Sequence, residues 1–368
     1  VLLLSAPVGE GHVAGARAIA ARMRTAWPDA EVVEVETVAG GPRRTRLLAL
    51  AYRVVMRRAP GLYGLAYDAL RRLPRLAAVF QRLGAPATAR ALRPVLRRHR
   101  PDLAVCTYPV TTGGLARLRR RGETATRTVA VVTDPAVHPF WVWPDVDETW
   151  VMLDEAAADA RRLGAADVRV VPPAVDPRFA PAPAPVGDDL TVLVTGGSLG
   201  FGALEQAVDA VLDAGEGVRA VVLCGRNEIL RGRLAARRDP RLRALGWTDT
   251  VPAEMAAADL VLTTGGGMIA NEALAVGRPV LFATPVPGHG RAGAATLARA
   301  GLAVACPHPA DVTAAVVDLR DDPARRDALA AAARAFSARD LDGALAGLAA
   351  RTTAARTTAA RTTGDRTG

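Results

Sequence analysis

The sequence predicts an α/β protein made of two Rossmann-like domains facing each other across a cleft. Short β-branched runs alternate with longer helical patterns along the chain, as expected of parallel sheets covered by helices. A proline-rich stretch without hydrophobic periodicity divides these runs into two series. It reads Pro172-Pro173-Ala174-Val175-Asp176-Pro177, then Phe179-Ala180-Pro181-Ala182-Pro183-Ala184-Pro185. Each series contains a glycine-rich turn between a strand and a helix. A length of 368 residues is enough for two separate cores.

Strands of the first series are expected at 1–5, 31–35, 103–107, 128–132, 149–152 and 168–171. Those of the second are expected at 190–195, 219–223, 242–245, 260–263, 280–282 and 303–306. Each is a brief apolar run suited to burial on both faces of a sheet. A long helical region, 44–98, lies between the second and third strands and is punctuated by Pro60, Pro74, Pro86 and Pro94. The first domain is placed at 1–180 and the second at 186–350. Beyond them, Arg-Thr-Thr-Ala-Ala repeats over 351–368 offer no apolar face and predict a disordered tail.

Half of the residues are apolar, which excludes a disordered chain. No uninterrupted apolar run approaches ~18 residues, so no membrane-spanning helix is expected. The opening Val1-Leu2-Leu3-Leu4-Ser5 lacks the basic region of a signal peptide, and a start at Val1 suggests a trimmed N-terminus. Cys106, Cys224 and Cys306 are far apart, each in or after an apolar run. They predict buried, reduced thiols of a cytosolic protein, and their spacing fits no zinc site. The net charge of +10 is carried by arginine alone, with no lysine. Residues 42–100 hold fifteen arginines against one acid, Asp68. Such a stretch is either a solvated helical surface or a face that meets anionic lipid headgroups or nucleic acid.

Two kinds of loop carry chemistry. In the second series, Thr263-Thr264-Gly265-Gly266-Gly267-Met268-Ile269-Ala270-Asn271-Glu272 runs from a strand into a helix. Free backbone N–H groups and the positive end of the helix dipole make such a turn an anion site. Glu272, one turn into the helix, can accept hydrogen bonds from a ribose. Phosphate donors beside a diol acceptor point to a nucleoside-diphosphate ligand. Thr195-Gly196-Gly197-Ser198-Leu199-Gly200-Phe201-Gly202 opens the same domain with a second such turn, where Gly197 and Ser198 can hold a diphosphate. In the first domain, Ser5-Ala6-Pro7-Val8-Gly9-Glu10-Gly11-His12 leads into the first helix. Gly9 and Gly11 permit close approach, and His12 stands at the helix start as a candidate general base, its neutral form favoured by the helix N-terminus. Glu10 either orients it or is exposed. Asp145-Val146-Asp147 has the spacing of a chelating pair, but nothing else supplies the remaining ligands of a metal site.

Four segments in order, spanning residue 1 to about 305, resemble the family-28 glycosyltransferases, above all the monogalactosyldiacylglycerol synthases and processive diacylglycerol glucosyltransferases. These are Ser5–His12, Val132–Trp141, Cys224–Glu228, and Gly246 through Glu272 to Gly288. The resemblance implies a GT-B fold. It also implies an inverting, metal-independent transfer of a hexose from a UDP-sugar, with no cofactor. It implies that His12 and Asp134 stand at the reaction centre, with Gly9, Gly11, His138 and Trp141 on the acceptor side. On the donor side it implies Gly197, Ser198, Arg226, Asn227, Trp247, Thr248, Gly266, Gly267, Met268, Ile269, Glu272 and His289. Arg226 and Asn227 would meet the diphosphate or the base, and backbone groups at Trp247 and Thr248 the uracil. Two departures concern the sugar. Met268 replaces the usual threonine, and His289-Gly290-Arg291-Ala292-Gly293-Ala294 replaces a run of glutamine and acidic residues.

The expected partners are a UDP-sugar, a lipid acceptor and an anionic membrane surface. The expected location is cytoplasmic and peripheral, on the inner face of the plasma membrane. Residues 44–98 suit that surface because Leu47, Leu48, Leu50, Tyr52, Val54, Val55, Met56, Leu62, Tyr63 and Leu65 interleave with arginines. A polyprenyl-linked or small-molecule acceptor, or a silent UDP-sugar-binding protein, are the alternatives. No nucleic acid partner is expected, since aromatic residues make up only 4% of the chain and leave little stacking surface.

Overall fold

The computed structural model describes residues 1–6, 10–37, 55, 59–198, 203–265 and 267–364. Two six-stranded sheets, all parallel, form its frame. The first contains β1 (Leu2–Ser5), β2 (Val33–Glu36), β3 (Leu103–Cys106), β4 (Arg127–Val131), β5 (Glu148–Val151) and β6 (Val168–Val170), in the order β2-β1-β3-β4-β5-β6. The second contains β7 (Leu190–Thr195), β8 (Val218–Leu223), β9 (Leu242–Leu245), β10 (Leu260–Thr263), β11 (Val280–Ala283) and β12 (Ala303–Cys306), in the order β12-β11-β10-β7-β8-β9. Every strand expected from the sequence is present within a residue or two. The central strands β1, β3, β10 and β11 are buried along their whole length, which is why they read as unbroken apolar runs. Strand order reverses beside β1 and beside β7. Those switch points open crevices at the strands' carboxyl ends.

Five α-helices serve the first sheet: α1 (Glu10–Ala26), α2 (Pro60–Arg72), α3 (Pro74–His99), α4 (Pro109–Arg120) and α5 (Asp154–Arg162). Pro60 and Pro74 start helices, where the missing N–H costs nothing. Pro86 and Pro94, by contrast, lie inside α3 and do not end it. An interior proline costs about 3 kcal/mol. Packing offsets it here: Ala85, Ala89, Leu92 and Leu96 are buried, and α3 lies so close to α4 that a β-carbon on Gly114 would meet the Thr88 hydroxyl at 2.7 Å.

The second sheet carries α6 (Leu204–Leu212), α7 (Glu228–Ala236), α8 (Val251–Ala256), α9 (Gly267–Val276), α10 (His289–Arg299), α11 (Pro309–Asp321) and α12 (Pro323–Ser337). The proline-rich connection is tied to this domain. The buried Arg278 donates to the carbonyls of Pro183 (2.5 Å) and Ala256 (2.6 Å), and the Ala182 N–H donates to Val276 O.

The end of the chain departs from expectation. Helix α13 runs from Leu341 to Gly364, so the tail predicted to be disordered from 351 onward is helical through Gly364; 365–368 lie outside the described residues. Nor does it stay with the second domain. Leu345 and Leu348 are buried against Leu3, Ile19 and Trp150 of the first. Arg351 then forks onto the buried Glu148, Nε and Nη2 donating at 2.7 and 2.9 Å. Burial would raise the Glu148 pKa, but hydrogen bonds from Arg351, Arg127 and Trp150 hold it at about 2. One carboxylate at the carboxyl-terminal helix thus gives the repeat an anchor that its composition conceals.

Candidate active site

Strand β1 delivers His12 onto the first turn of α1. Its Nδ1 is 2.8 Å from the Thr133 hydroxyl, its carbonyl accepts from the Thr107 hydroxyl at 2.8 Å, and Tyr108 lies edge-on at 5.2 Å. The Thr107 backbone also hydrogen-bonds the imidazole, which favours its protonated form. Burial lowers the pKa of His12, the Asp134 carboxylate opposes that shift, and His289 of the other domain adds to it. The imidazole is therefore neutral at neutral pH and lies within electrostatic reach of both. Gly9 lies outside the described residues.

Asp134 follows β4 and accepts from Trp141 Nε1 at 3.2 Å. Trp141, only 1% exposed, belongs to a short 3-10 turn, Pro139–Trp141. His138 caps that turn: its Nδ1 accepts from the Phe140 N–H (3.2 Å), leaving Nε2–H to donate to Tyr67 O (3.4 Å). Burial, opposed by the Tyr67 carbonyl, pushes its pKa down to about 4. The sequence places His138 and Trp141 on the acceptor side; in the structure both are buried, Trp141 holding Asp134 while His138 caps the turn.

On the second domain, four neighbouring strands, β10-β7-β8-β9, present their loops side by side. Gly197 N–H donates to the Thr195 hydroxyl (3.1 Å), and Arg226 N–H donates to Ser198 O (3.0 Å). The β7 and β8 loops meet at Gly225, where φ is +59° and a β-carbon would stand 2.5 Å from Ser198 O, so only glycine fits. The Arg226 guanidinium lies 4.0 Å above the Trp247 ring, which is 55% exposed. The side chains of Asn227 and Thr248 are occupied locally, which leaves the backbone of Thr248 as the part that can face a base. Asn227 Oδ1 caps α7 through the Leu230 N–H, and the Thr248 hydroxyl bonds Thr250 ahead of α8. In the β10 loop, Gly265 N–H donates to the Thr263 hydroxyl (2.9 Å). Gly266 lies outside the described residues. Gly267 starts α9, followed by the part-buried Met268 and Ile269. Glu272 makes no hydrogen bond to the described residues. Burial, then Asp176, pushes its carboxyl up to about 8, with Arg178 opposing.

The two sides touch. Met268 packs against Gly11 and Gly15 of α1. The segment that departs from the family pattern meets α2. Tyr63 Oη is 3.2 Å from His289 Nδ1, Arg291 Nη2 is 3.0 Å from Asp68, and a β-carbon on Gly288 would lie 3.0 Å from that of Tyr67. Sequence reasoning missed Tyr63 and Tyr67. The one available signal was Asp68, the sole acid in an arginine-rich stretch, which faces Arg291. Also missed was Asn271, 1% exposed and with no partner among the described residues at either end of its side chain, on an interdomain cavity of about 30 Å³ that Gly15, Thr133 and Met268 also line. Asp147 is engaged by Arg119 and Thr128, and Asp145 pairs with Arg120.

Facing Rossmann-like domains with glycine loops on both sides of one crevice define the GT-B class of glycosyltransferase fold. Solved structures agree. HepE from Anabaena, crystallised with UDP, superposes with a TM-score of 0.58 at 15% identity, covering 96% of this chain and 99% of that one. SnogD, a glycosyltransferase from Streptomyces nogalater, gives 0.63 at 18% identity over 95% and 98%. Residues 12–172 match the monogalactosyldiacylglycerol (MGDG) synthase family and 191–343 the glycosyltransferase family 28 C-terminal domain, so the chain belongs to the family-28 glycosyltransferases. Among curated relatives, the processive diacylglycerol beta-glucosyltransferase of Bacillus subtilis is 26% identical over 61% of this chain and 62% of its own length. That of Bacillus cereus (strain 03BB102) is 23% identical over 88% and 86%. The alignments to the first of these relatives thus span a little under two thirds of their length.

Proposed function

We propose that this protein is an inverting, metal-independent transferase that moves a hexose from a UDP-sugar to a diacylglycerol-type lipid at a membrane surface. The observation that carries the reading is His12: a neutral, oriented imidazole, beside Asp134, across the crevice from the loops of β7, β8 and β10. The His12 imidazole takes the proton of the acceptor hydroxyl. The acceptor oxygen attacks the anomeric carbon from the face opposite the diphosphate, the bond from that carbon to UDP breaks, and UDP leaves with the electron pair. Asp134 favours the imidazolium as it forms. Backbone N–H groups at the start of α9, from Gly267, with Arg226, take up the charge on the leaving diphosphate. The Arg226–Trp247 platform is suited to the base and Glu272 to the ribose. Support for the donor comes from HepE, solved with UDP, and for the acceptor from the names of the curated relatives.

Mass spectrometry of lipid products, with a panel of UDP-hexoses against diacylglycerol and polyprenyl phosphate, tests the reading. UDP release and a hexosyl-diacylglycerol are expected. UDP binding without any transfer would favour the silent sugar-nucleotide binder instead.

Among the described residues no helix is long and apolar enough to cross a membrane. Helices α2 and α3 nevertheless expose an apolar stripe. Leu62 and Leu65 lie on one; Leu76, Phe80 and Leu83 follow at helical spacing on the other, Leu83 72% exposed. Arg71, Arg72, Arg75 and Arg82 flank them, also exposed. Tyr63 turns inward instead, and 38–54 and 56–58, which hold most of the apolar residues singled out in the sequence, lie outside the described residues. Each arginine near an anionic surface is worth up to ~1 kcal/mol. Vesicle sedimentation is expected to rise with the anionic lipid fraction, fall with salt, and weaken in a Leu65→Asp/Leu83→Asp variant. Binding indifferent to all three would overturn the membrane assignment.

A further inference from the structure

Tyr67 is 9% exposed, and its hydroxyl is buried without a hydrogen-bond partner among the described residues. Buried phenols normally find a partner, because an unpaired one forfeits its hydration. The polar groups around it are already engaged: His138 through both nitrogens, Asp134 by Trp141, Tyr63 with His289, and Asp68 with Arg291. The ring stacks 4.4 Å from His138 and lies 6.5 Å from His289. It packs on Ala136, just beyond Asp134, and on Ala292, in the first turn of the donor-domain helix α10. The phenol therefore stands at the seam where both substrates must meet.

We propose that Tyr67 is a further substrate-binding residue, whose hydroxyl pairs with an alcohol of the reacting molecules, either the donor hexose or the glycerol acceptor. The inference rests on the transferase reading. Burial, then the Asp134 carboxylate, raises the phenol pKa well above its ordinary value, against Arg71, so the group stays protonated and donates. An alcohol within reach of both groups can accept a hydrogen bond from Tyr67 while donating one to Asp134. This is a task that α2, an insertion helix, performs for a site otherwise built from loops at strand ends.

The test is Tyr67→Phe in the full chain, which removes one oxygen. The free variant is expected to melt no lower than the parent, since no bond is lost, and to bind UDP equally in calorimetry. If the partner is the hexose, affinity for UDP-glucose or UDP-galactose falls about tenfold while UDP affinity holds. If it is the acceptor, KM for diacylglycerol rises by about as much instead. Unchanged values in both arms overturn the proposal and leave the transferase reading intact. Failure of the parent to bind UDP overturns both.

Discussion

Replacing His12 by alanine is expected to lower kcat by about two to four orders of magnitude, the usual contribution of a positioned general base. UDP affinity, read by calorimetry, should be retained, because His12 belongs to the first domain and the glycine loops to the second. The split between the two readouts makes the result diagnostic: equal losses would make His12 a structural or donor-site residue. The pH profile carries the same information. Burial lowers the pKa of His12 below its ordinary 6.5, so the acid limb of kcat should lie below that value and vanish in the alanine variant. Above that limb the base is already unprotonated, and activity should be level through neutrality.

Above pH 8, where its carboxyl is ionised, Glu272→Gln should weaken UDP binding by about ten- to a hundredfold, the range for losing a charge-assisted hydrogen bond. Its carboxyl is raised to about 8 in the free protein by burial and Asp176. A carboxyl in the unfolded chain ionises near 4.5. Between these values the folded state holds a proton that the unfolded state has lost, so the free protein loses stability as pH rises from about 4.5 to about 8. The glutamine variant should flatten that part of the stability profile. Calorimetric titrations with UDP and thermal melts across this range check both statements. Unaltered UDP affinity would remove Glu272 from the ribose site.

Met268 and the 289–294 segment, which depart from the family pattern, acquire a physical account in the folded chain. Where a threonine would offer a hydroxyl, Met268 supplies an apolar contact to Gly11 and Gly15 of the opposite domain. Where acidic residues would stand, Arg291 faces Asp68 and His289 meets Tyr63. The two departures thus serve the contact between domains as well as the crevice, and the insertion α2 is the element that answers the second of them.

Both sheets and the linker were legible in the chain itself. A strand buried on both faces must be apolar throughout, and that demand acts on neighbouring residues. Partners distant in sequence were not legible. His138 and Trp141 have the residue types of a binding surface, yet they are turned inward to cap a turn and hold Asp134. Pro86 and Pro94 look like helix breaks, yet burial against α4 carries α3 through them. The Arg-Thr-Thr-Ala-Ala repeat looks unstructured, yet Arg351 reaches Glu148, 203 residues earlier. The sequence by itself determined the fold class and the strands of both sheets, because local patterns specify local backbone. Only the tertiary structure decided which side chains face the crevice and which brace it, because an ion pair, a cap or an unpaired phenol depends on what stands opposite.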